Sequence, residues 1–298
     1  LIANYDVNRQ EKYTEILEKI VSSPVPPKTK LFSIIIFSKD RALQLDALLG
    51  SLCFFSKNAP KVYVLHSSST NKFEQSYSQV LEEYKSRDIK FIKETNFRKD
   101  LIALFKTIDT KKVLFLVDDL MFKNSIDFEE FSKIDTKKYV ASLRMGSHLT
   151  FSYTTQKQQS KPRFSQVQEY RNMLCWSFEK EHLDWAYPLS VDGHLFSTQE
   201  MKVLVEELEY KAPNSFEEAL QLMNPLYSKR LGLCYKESVI INNPCNKVQL
   251  ENNNIAGQVS IHELNDKWVE GLRINYKEYK GIANESAHQE LLLSFIER

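Results

Sequence analysis

Glycine is scarce in this 298-residue chain: seven occur, at positions 50, 146, 193, 232, 257, 271 and 281, and the two nearest lie ten residues apart. A phosphate-cradling loop of the form G-x-x-x-x-G-K-[ST], or a dinucleotide fingerprint G-x-G-x-x-G, cannot be built from that spacing. G-x-S-x-G and H-E-x-x-H are missing as well. P-loop nucleotidases, Rossmann dehydrogenases, α/β-hydrolases and zincins are thereby excluded. Cysteine is equally uninformative as a site: Cys53, Cys175, Cys234 and Cys245 form no C-x-x-C pair and no zinc spacing with histidine. Reduced thiols acting as small apolar core residues, in a cytoplasmic setting, are expected. Charge of one sign is lacking too, since 40 Lys+Arg stand against 39 Asp+Glu, a net charge of +1. With no basic stripe, neither nucleic acid nor a membrane surface is the expected partner. No apolar run reaches the roughly 18–20 residues of a membrane span, and no signal-peptide pattern opens the chain. Leu1 in place of Met points to a piece of a longer protein with other domains.

What is present is an α/β alternation. Residues 8–22 carry Tyr13, Ile16, Leu17 and Ile20 at helical spacing, and proline-punctuated residues 24–30 read as a linker. LFSIIIFSKD then has the unbroken branched run of a buried parallel strand. Leu45, Leu48, Leu49 and Leu52 give the following helix its apolar face. Strands at 61–68, 88–94 and 111–119 alternate with helices at 73–86 and 97–108. The pattern predicts a Rossmann-like, mainly parallel sheet flanked by helices, with ligands beyond the strands' carboxyl ends. Residues 137–146 read as a further strand and 147–173 as loop. Helices are expected at 198–211, at 215–223 with a Ser215/Glu218 capping box, from Ser260 with Glu263, and over the closing HQELLLSFIER. The resulting division is an N-terminal helix and linker (1–30), an α/β half with the ligand edge (31–146), and a loop-rich, helical C-terminal half (147–298).

The strand VLFLVDD ends in two adjacent carboxylates, Asp118 and Asp119. Side-by-side acids at a sheet's ligand edge repel unless a cation shares them. Mg²⁺ or Mn²⁺ held by one or two carboxylates together with a diphosphate would meet that need. The same pair also reads as turn aspartates, one of them capping the next segment.

FSKDRALQLDALLGSL and, further along the same α/β alternation, VLFLVDD resemble the first strand–turn–helix and the DxD-type fourth-strand end of GT-A glycosyltransferases, closest in style to the family 2 group. The resemblance covers residues 32–122. It implies a GT-A-like fold, a divalent metal (Mn²⁺ or Mg²⁺) and a nucleotide-diphosphate sugar as donor. Carried over by position, Ser38, Asp40 and Arg41 would contact the donor, Asp118 its ribose or the metal's water shell, and Asp119 the metal itself. Ser38 or Asp40 could equally cap the helix that follows. The chain departs from the family at the second strand's end, where a base-reading acid is usual and His66-Ser67-Ser68 stands instead; Ser67 is the candidate nucleotide contact. It departs again at Asn96, which Phe97-Arg98-Lys99 follow instead of glycine. Arg98 or Lys99 could pair with a diphosphate, though solvated surface charge is the plainer reading.

A transferase needs a base for the acceptor hydroxyl. WAYPLSVDGHLFSTQEM offers Asp192, with His194 second as base or as a metal or phosphate contact, although Asp-Gly is also a turn signal. Ser197 or Thr198 would cap the next helix. Asn-rich residues 241–254 with Lys247, and Trp176, Trp185 and Tyr187, are further candidates for sugar or phosphate contact. The expected function is metal-dependent, inverting transfer of a sugar from a nucleotide diphosphate to a glycan or lipid-linked acceptor in surface polysaccharide or glycoconjugate synthesis. The alternatives are a degenerate domain that binds glycans or scaffolds an assembly, and a nucleotidyltransferase.

Overall fold

The structure is a computed structural model and describes residues 2–23, 30–248 and 255–298. Most of the expected linker and the Asn252–Asn254 cluster lie outside the described residues.

Strand β1 (Lys30–Lys39) runs through a nine-stranded sheet. Its branched residues are buried on both faces: Ile34 and Ile36 join one core, Ile35 and Phe37 the other. That is why the run is unbroken rather than alternating. β2 (Lys61–Ser67), β3 (Ile89–Lys93) and β4 (Thr110–Val117) extend the sheet on either side, all parallel. Helices α1 (Ile2–Ser22), α2 (Ala42–Phe55), α3 (Asn71–Glu83) and α4 (Phe97–Thr107) accompany them, with Thr70 and Asn96 capping the last two. This half follows the alternation legible in the sequence. α2 is buried nearly all round. Its second face is covered by the C-terminal region, where Arg273 Nη2 reaches the buried Asp46 at 3.1 Å.

Past Asp119 the chain turns into β5 (Leu120–Phe122), outside the main sheet. β6 (Tyr139–Gly146), β7 (Ser165–Gln166), β8 (Met173–Ser177), β9 (His194–Ser197) and β10 (Leu231–Tyr235) then complete the order β7-β8-β10-β6-β9-β4-β1-β2-β3. β9 slides between β4 and β6, antiparallel to both. β10 is parallel to β6, while β8 and β7 add antiparallel pairs at that edge. The sheet is therefore mixed: the first half of the chain builds a parallel block, and the second half adds strands of both directions. β8, β9 and β10 are short apolar runs, which carry no periodicity that separates strand from helix.

The longer helices of the second half are α5 (Thr198–Glu207), capped by Ser197, α6 (Pro213–Leu220) and α7 (Ile261–Val269), capped by Ser260. α6 begins two residues before Ser215. Ser215 therefore serves at the third helical position, its Oγ accepting from Ala212 N at 3.0 Å, and the Ser215/Glu218 box does not form. Ser260 Oγ accepts from His262 N at 3.2 Å.

The closing helix is also absent. Residues 289–294 form an extended strap that ends in β13 (Phe295–Glu297), antiparallel to β12 (Leu272–Ile274). Leu291 and Leu293 are half-buried against the core while Leu292 between them is 96% exposed, the two-residue period of extended chain. Tertiary partners take the strap's backbone groups: Gln289 N donates to Asn242 O (2.9 Å) and Leu291 N to Asn243 Oδ1 (3.0 Å). A helix would forfeit these bonds. β11 (Ile240–Asn242) pairs antiparallel with β5, and His288 lies beside Asn242 in a parallel bridge. Among the described residues, no helix is long and apolar enough to cross a membrane.

Candidate active site

The carboxyl ends of β1, β2 and β4 open into a cavity of about 1050 Å³. Ser38 and Lys39 line it from the end of β1, Arg41 from the turn that follows, Ser67 from the end of β2, and Asp118 and Asp119 from just past β4. The opposite wall carries Arg144, Tyr187, Asp192, Glu217 and His288. The sheet edge thus brings Ser38, Arg41, Ser67, Asp118, Asp119 and Asp192 into one cavity.

Arg41 dominates the first wall. Its Nη1 bonds Asp118 Oδ1 and Asp119 Oδ2, each at 2.9 Å. Its Nε and Nη2 bond the side-chain and backbone oxygens of Asn246 at 2.8 and 2.7 Å. Burial works against the guanidinium's charge, but Asp118 and Asp119 outweigh it and push its pKa up. Asp118 Oδ2 accepts from Ser38 Oγ (2.9 Å) and Lys39 N (3.0 Å), so both oxygens of Asp118 are engaged. Tyr77 closes the network, its hydroxyl 2.6 Å from Ser38 Oγ and accepting from Arg41 N at 3.2 Å. Asp118 and Arg41 form a buried brace that holds the strand end rigid.

Asp119 differs. Its Oδ2 shares Arg41 and its Oδ1 accepts from Asn242 Nδ2 at 2.9 Å. Burial lifts its carboxyl to about 6; Arg41 opposes that lift, and the charges of Asp118 and Asp192 add to it. One guanidinium shared by two carboxylates leaves the cluster short of positive charge, which is the condition a divalent cation would satisfy. Among the described residues, no three His, Cys, Asp or Glu side chains are grouped to hold a metal unaided. A hard cation at Asp119 would complete its shell from phosphate oxygens and water, the usual habit of Mg²⁺. On this geometry Asp119 fits the metal, and Asp118, already saturated, fits a supporting role.

Asp192 stands at the entrance to β9. Gly193, at φ +77°, donates to Phe115 O at 2.8 Å and aims the aspartate into the cavity. The Asp-Gly pair makes this bend and no hairpin. Asp192 Oδ2 faces His288 Nε2 at 2.9 Å, Asn242 Nδ2 at 3.5 Å and Arg144 Nη1 at 3.9 Å. Among the described residues Oδ1 meets no donor. Burial would raise this carboxyl, but the His288 hydrogen bond and the charges of His288 and Arg144 hold it below the usual carboxylate range. Glu217 next to it accepts from Val191 N (2.6 Å), Tyr187 OH (3.0 Å) and Ser190 Oγ (3.1 Å). Its carboxyl is raised by burial and then by Asp192. Two neighbouring acids are thus driven apart, Asp192 towards the charged form and Glu217 towards the neutral one.

Several expected residues lie elsewhere. Asp40, at φ +55°, turns from the cavity and accepts from Ser69 N at 2.7 Å, tying down the loop after β2. His194 is buried with Nδ1 3.0 Å from Pro188 O, and burial drops its pKa to about 3. It is a neutral core histidine that does not reach the cavity. Trp176 and Trp185 pack on each other in the core with ring centroids 5.1 Å apart, whereas Tyr187 does face the cavity. Arg98 bonds the carbonyls of Glu206 and Leu208 at the C-terminal end of α5, and neither it nor Lys99 lines the cavity. Within the Asn-rich stretch, Asn242, Asn246 and Lys247 line the cavity, while residues 249–254 lie outside the described chain. Arg144, Glu217 and His288 carried no motif signal, because each is set in place by tertiary packing.

No family model matches the chain. A bifunctional glycosyltransferase, pgtA, of Dictyostelium discoideum is 27% identical over 190 residues, which is 58% of this chain and 24% of that protein. Among solved structures, S. aureus TarS 1–349 in complex with UDP aligns over 71% of this chain and 59% of its own, at a TM-score of 0.45 and 14% identity. GlyE of Streptococcus pneumoniae aligns over 81% of this chain and 64% of its own, at a TM-score of 0.38 and 12% identity. In sequence, this α/β chain is thus similar to a glycosyltransferase over more than half of its own length, and it spans about a quarter of that protein.

Proposed function

We propose that the chain transfers a sugar from a nucleotide-diphosphate donor to a hydroxyl of a glycan or lipid-linked acceptor, with inversion in a single displacement. The observation that carries this reading is the placement of Asp192. It offers one unpartnered carboxylate oxygen to the same cavity that Asp119 enters, and Asn242 Nδ2 reaches both acids, at 2.9 and 3.5 Å.

The donor's diphosphate belongs at the wall of Ser38, Lys39, Arg41 and Ser67, where the basic residues meet the strand ends. A divalent metal at Asp119 would supply positive charge for the leaving diphosphate. Asp118 and Arg41 hold that aspartate in register. Asp192 Oδ1 takes the proton of the acceptor hydroxyl as its oxygen bonds the anomeric carbon. The bond from that carbon to the diphosphate oxygen breaks, and its electron pair leaves with the phosphate. Asp192 is held ionised for this task, while Tyr187 and Glu217 present hydroxyl and carboxyl groups suited to an acceptor sugar.

A thermal-shift panel of UDP, GDP, CMP and dTDP sugars, with and without Mn²⁺, tests the donor site. Stabilisation by one nucleoside diphosphate that needs Mn²⁺ and is lost in Asp119→Ala is the expected result. No shift with any compound would leave a non-catalytic module as the better account.

A further inference from the structure

We propose that His288, on the C-terminal strap, is a positioning residue that sets the orientation of Asp192 and leaves Oδ1 as the oxygen presented to the acceptor. The inference rests on the transfer reading above.

The backbone fixes the imidazole first. Asn242 N donates to Ala287 O at 3.1 Å and Gln289 N to Asn242 O at 2.9 Å, so His288 is held from both sides by one residue of β11. β11 in turn pairs with β5, whose first residue follows Asp119 directly. Asp119 just before β5, Asn242 in β11 and His288 in its bridge to Asn242 therefore lie side by side, and Asp192 faces them from the entrance to β9. His288 Nε2 lies 2.9 Å from Asp192 Oδ2, with the two side chains 15% and 12% exposed.

The ring's chemistry follows from that contact. A carboxylate only accepts, so Nε2 carries the hydrogen, and in the neutral ring Nδ1 is left with the lone pair. Among the described residues no partner reaches Nδ1, and it is buried away from the cavity. His288 therefore has no nitrogen aimed at substrate and acts only through Asp192. Besides His288, the charged and titratable groups facing Asp192 from the other elements are Arg144, His194, Glu217, Asp119 and Tyr187. Among the described residues none of them makes a short hydrogen bond to its oxygens: Arg144 stands 3.9 Å from Oδ2, His194 is turned to Pro188, Tyr187 donates to Glu217, and neither Glu217 nor Asp119 is hydrogen-bonded to Asp192. Asn242, at 3.5 Å, is too long to fix the carboxylate alone. The orientation of Asp192 thus hangs on His288, and a small misplacement of a reacting group is enough to cost about 100-fold in rate.

The test compares wild type, His288→Ala and His288→Gln, whose amide N–H can stand in for Nε2–H. Release of nucleoside diphosphate is followed over pH with UDP-glucose, UDP-galactose, UDP-GlcNAc and GDP-mannose, and Mn²⁺ binding is read by electron paramagnetic resonance with UDP present. His288→Ala is expected to lower kcat by roughly 10–100-fold. KM for the donor and Mn²⁺ binding should stay unchanged, the acid limb of the pH profile should move upward, and His288→Gln should recover most of the rate. Wild-type turnover in His288→Ala, or a rate loss that tracks lost Mn²⁺ binding, would overturn the inference. If wild type turns over none of the four donors, the transfer reading fails by itself. The positioning contact is then read by ¹⁵N NMR of the His288 ring: an Nε2–H tautomer that changes in Asp192→Asn upholds it, and an unchanged ring overturns it.

Discussion

Arg41 Nη1 lies 2.9 Å from Asp118 Oδ1, joining two nearly buried side chains that are 77 positions apart in the chain. Removing one partner of such a pair strands a charge away from water, which costs about 3–5 kcal/mol. Arg41→Ala, which leaves both Asp118 and Asp119 without their cation, should lower the unfolding free energy measured in urea by that amount, with an unchanged slope. A loss below about 1 kcal/mol, the level of a surface pair, would show that solvent reaches the brace.

Asp119 is expected to behave in the opposite sense. Its folded carboxyl titrates near 6 against an ordinary value of 3.8, so the folded state binds the extra proton between those values. Stability attached to this group is therefore present below about pH 4 and falls as pH rises through about 6. Asp119→Asn should raise the melting temperature of the nucleotide-free protein at neutral and higher pH and change little near pH 4. The same variant should lose the response to Mn²⁺ and nucleoside diphosphate. In wild type that response should weaken as pH drops below about 6, because the proton competes with the cation. A less stable variant at pH 8 would mean that Arg41 fully compensates the charge.

Gly193→Ala should damage both fold and site. The residue sits at φ +77°, and a Cβ there would meet Ile240 Cδ1 at 2.4 Å. Strain of about 1–3 kcal/mol is expected. Donor binding should survive while kcat falls, since the shift moves Asp192 and spares the opposite wall. Equal loss of nucleotide binding would show that the two walls move together.

His194→Asn retains a donor toward Pro188 O and should keep the wild-type pH–rate profile, because a ring driven to about 3 is neutral throughout the working range. A displaced acid limb would return His194 to the catalytic machinery.

The first half of the fold was legible because its physics is local. Ile34, Ile35 and Ile36 mark a strand buried on both faces, Leu45 to Leu52 mark the helix on it, and two acids after VLFLV mark the ligand edge. The two acids differ for a reason no spacing displays: Asp118 accepts from Ser38, Lys39 and Arg41, whereas Asp119 accepts from Arg41 and Asn242 and has its carboxyl lifted by burial. The closing segment was misread as a helix because HQELLLSFIER has helical spacing, yet Asn242, Asn243 and Tyr279 offer its extended backbone better partners. His288 was invisible for the same reason. It meets Asp192 across 96 positions, through a strap whose course only the packed structure fixes.

The central claim is that Asp192 deprotonates the acceptor in a cavity that holds the donor independently of it. The most direct measurement is sugar transfer by Asp192→Asn, using the nucleotide sugar that stabilises wild type, alongside the affinity of both proteins for that donor with Mn²⁺. Loss of a positioned base should lower kcat on the order of 10²- to 10⁴-fold. The donor affinity should stay as in wild type. Transfer at the wild-type rate by Asp192→Asn would contradict the account.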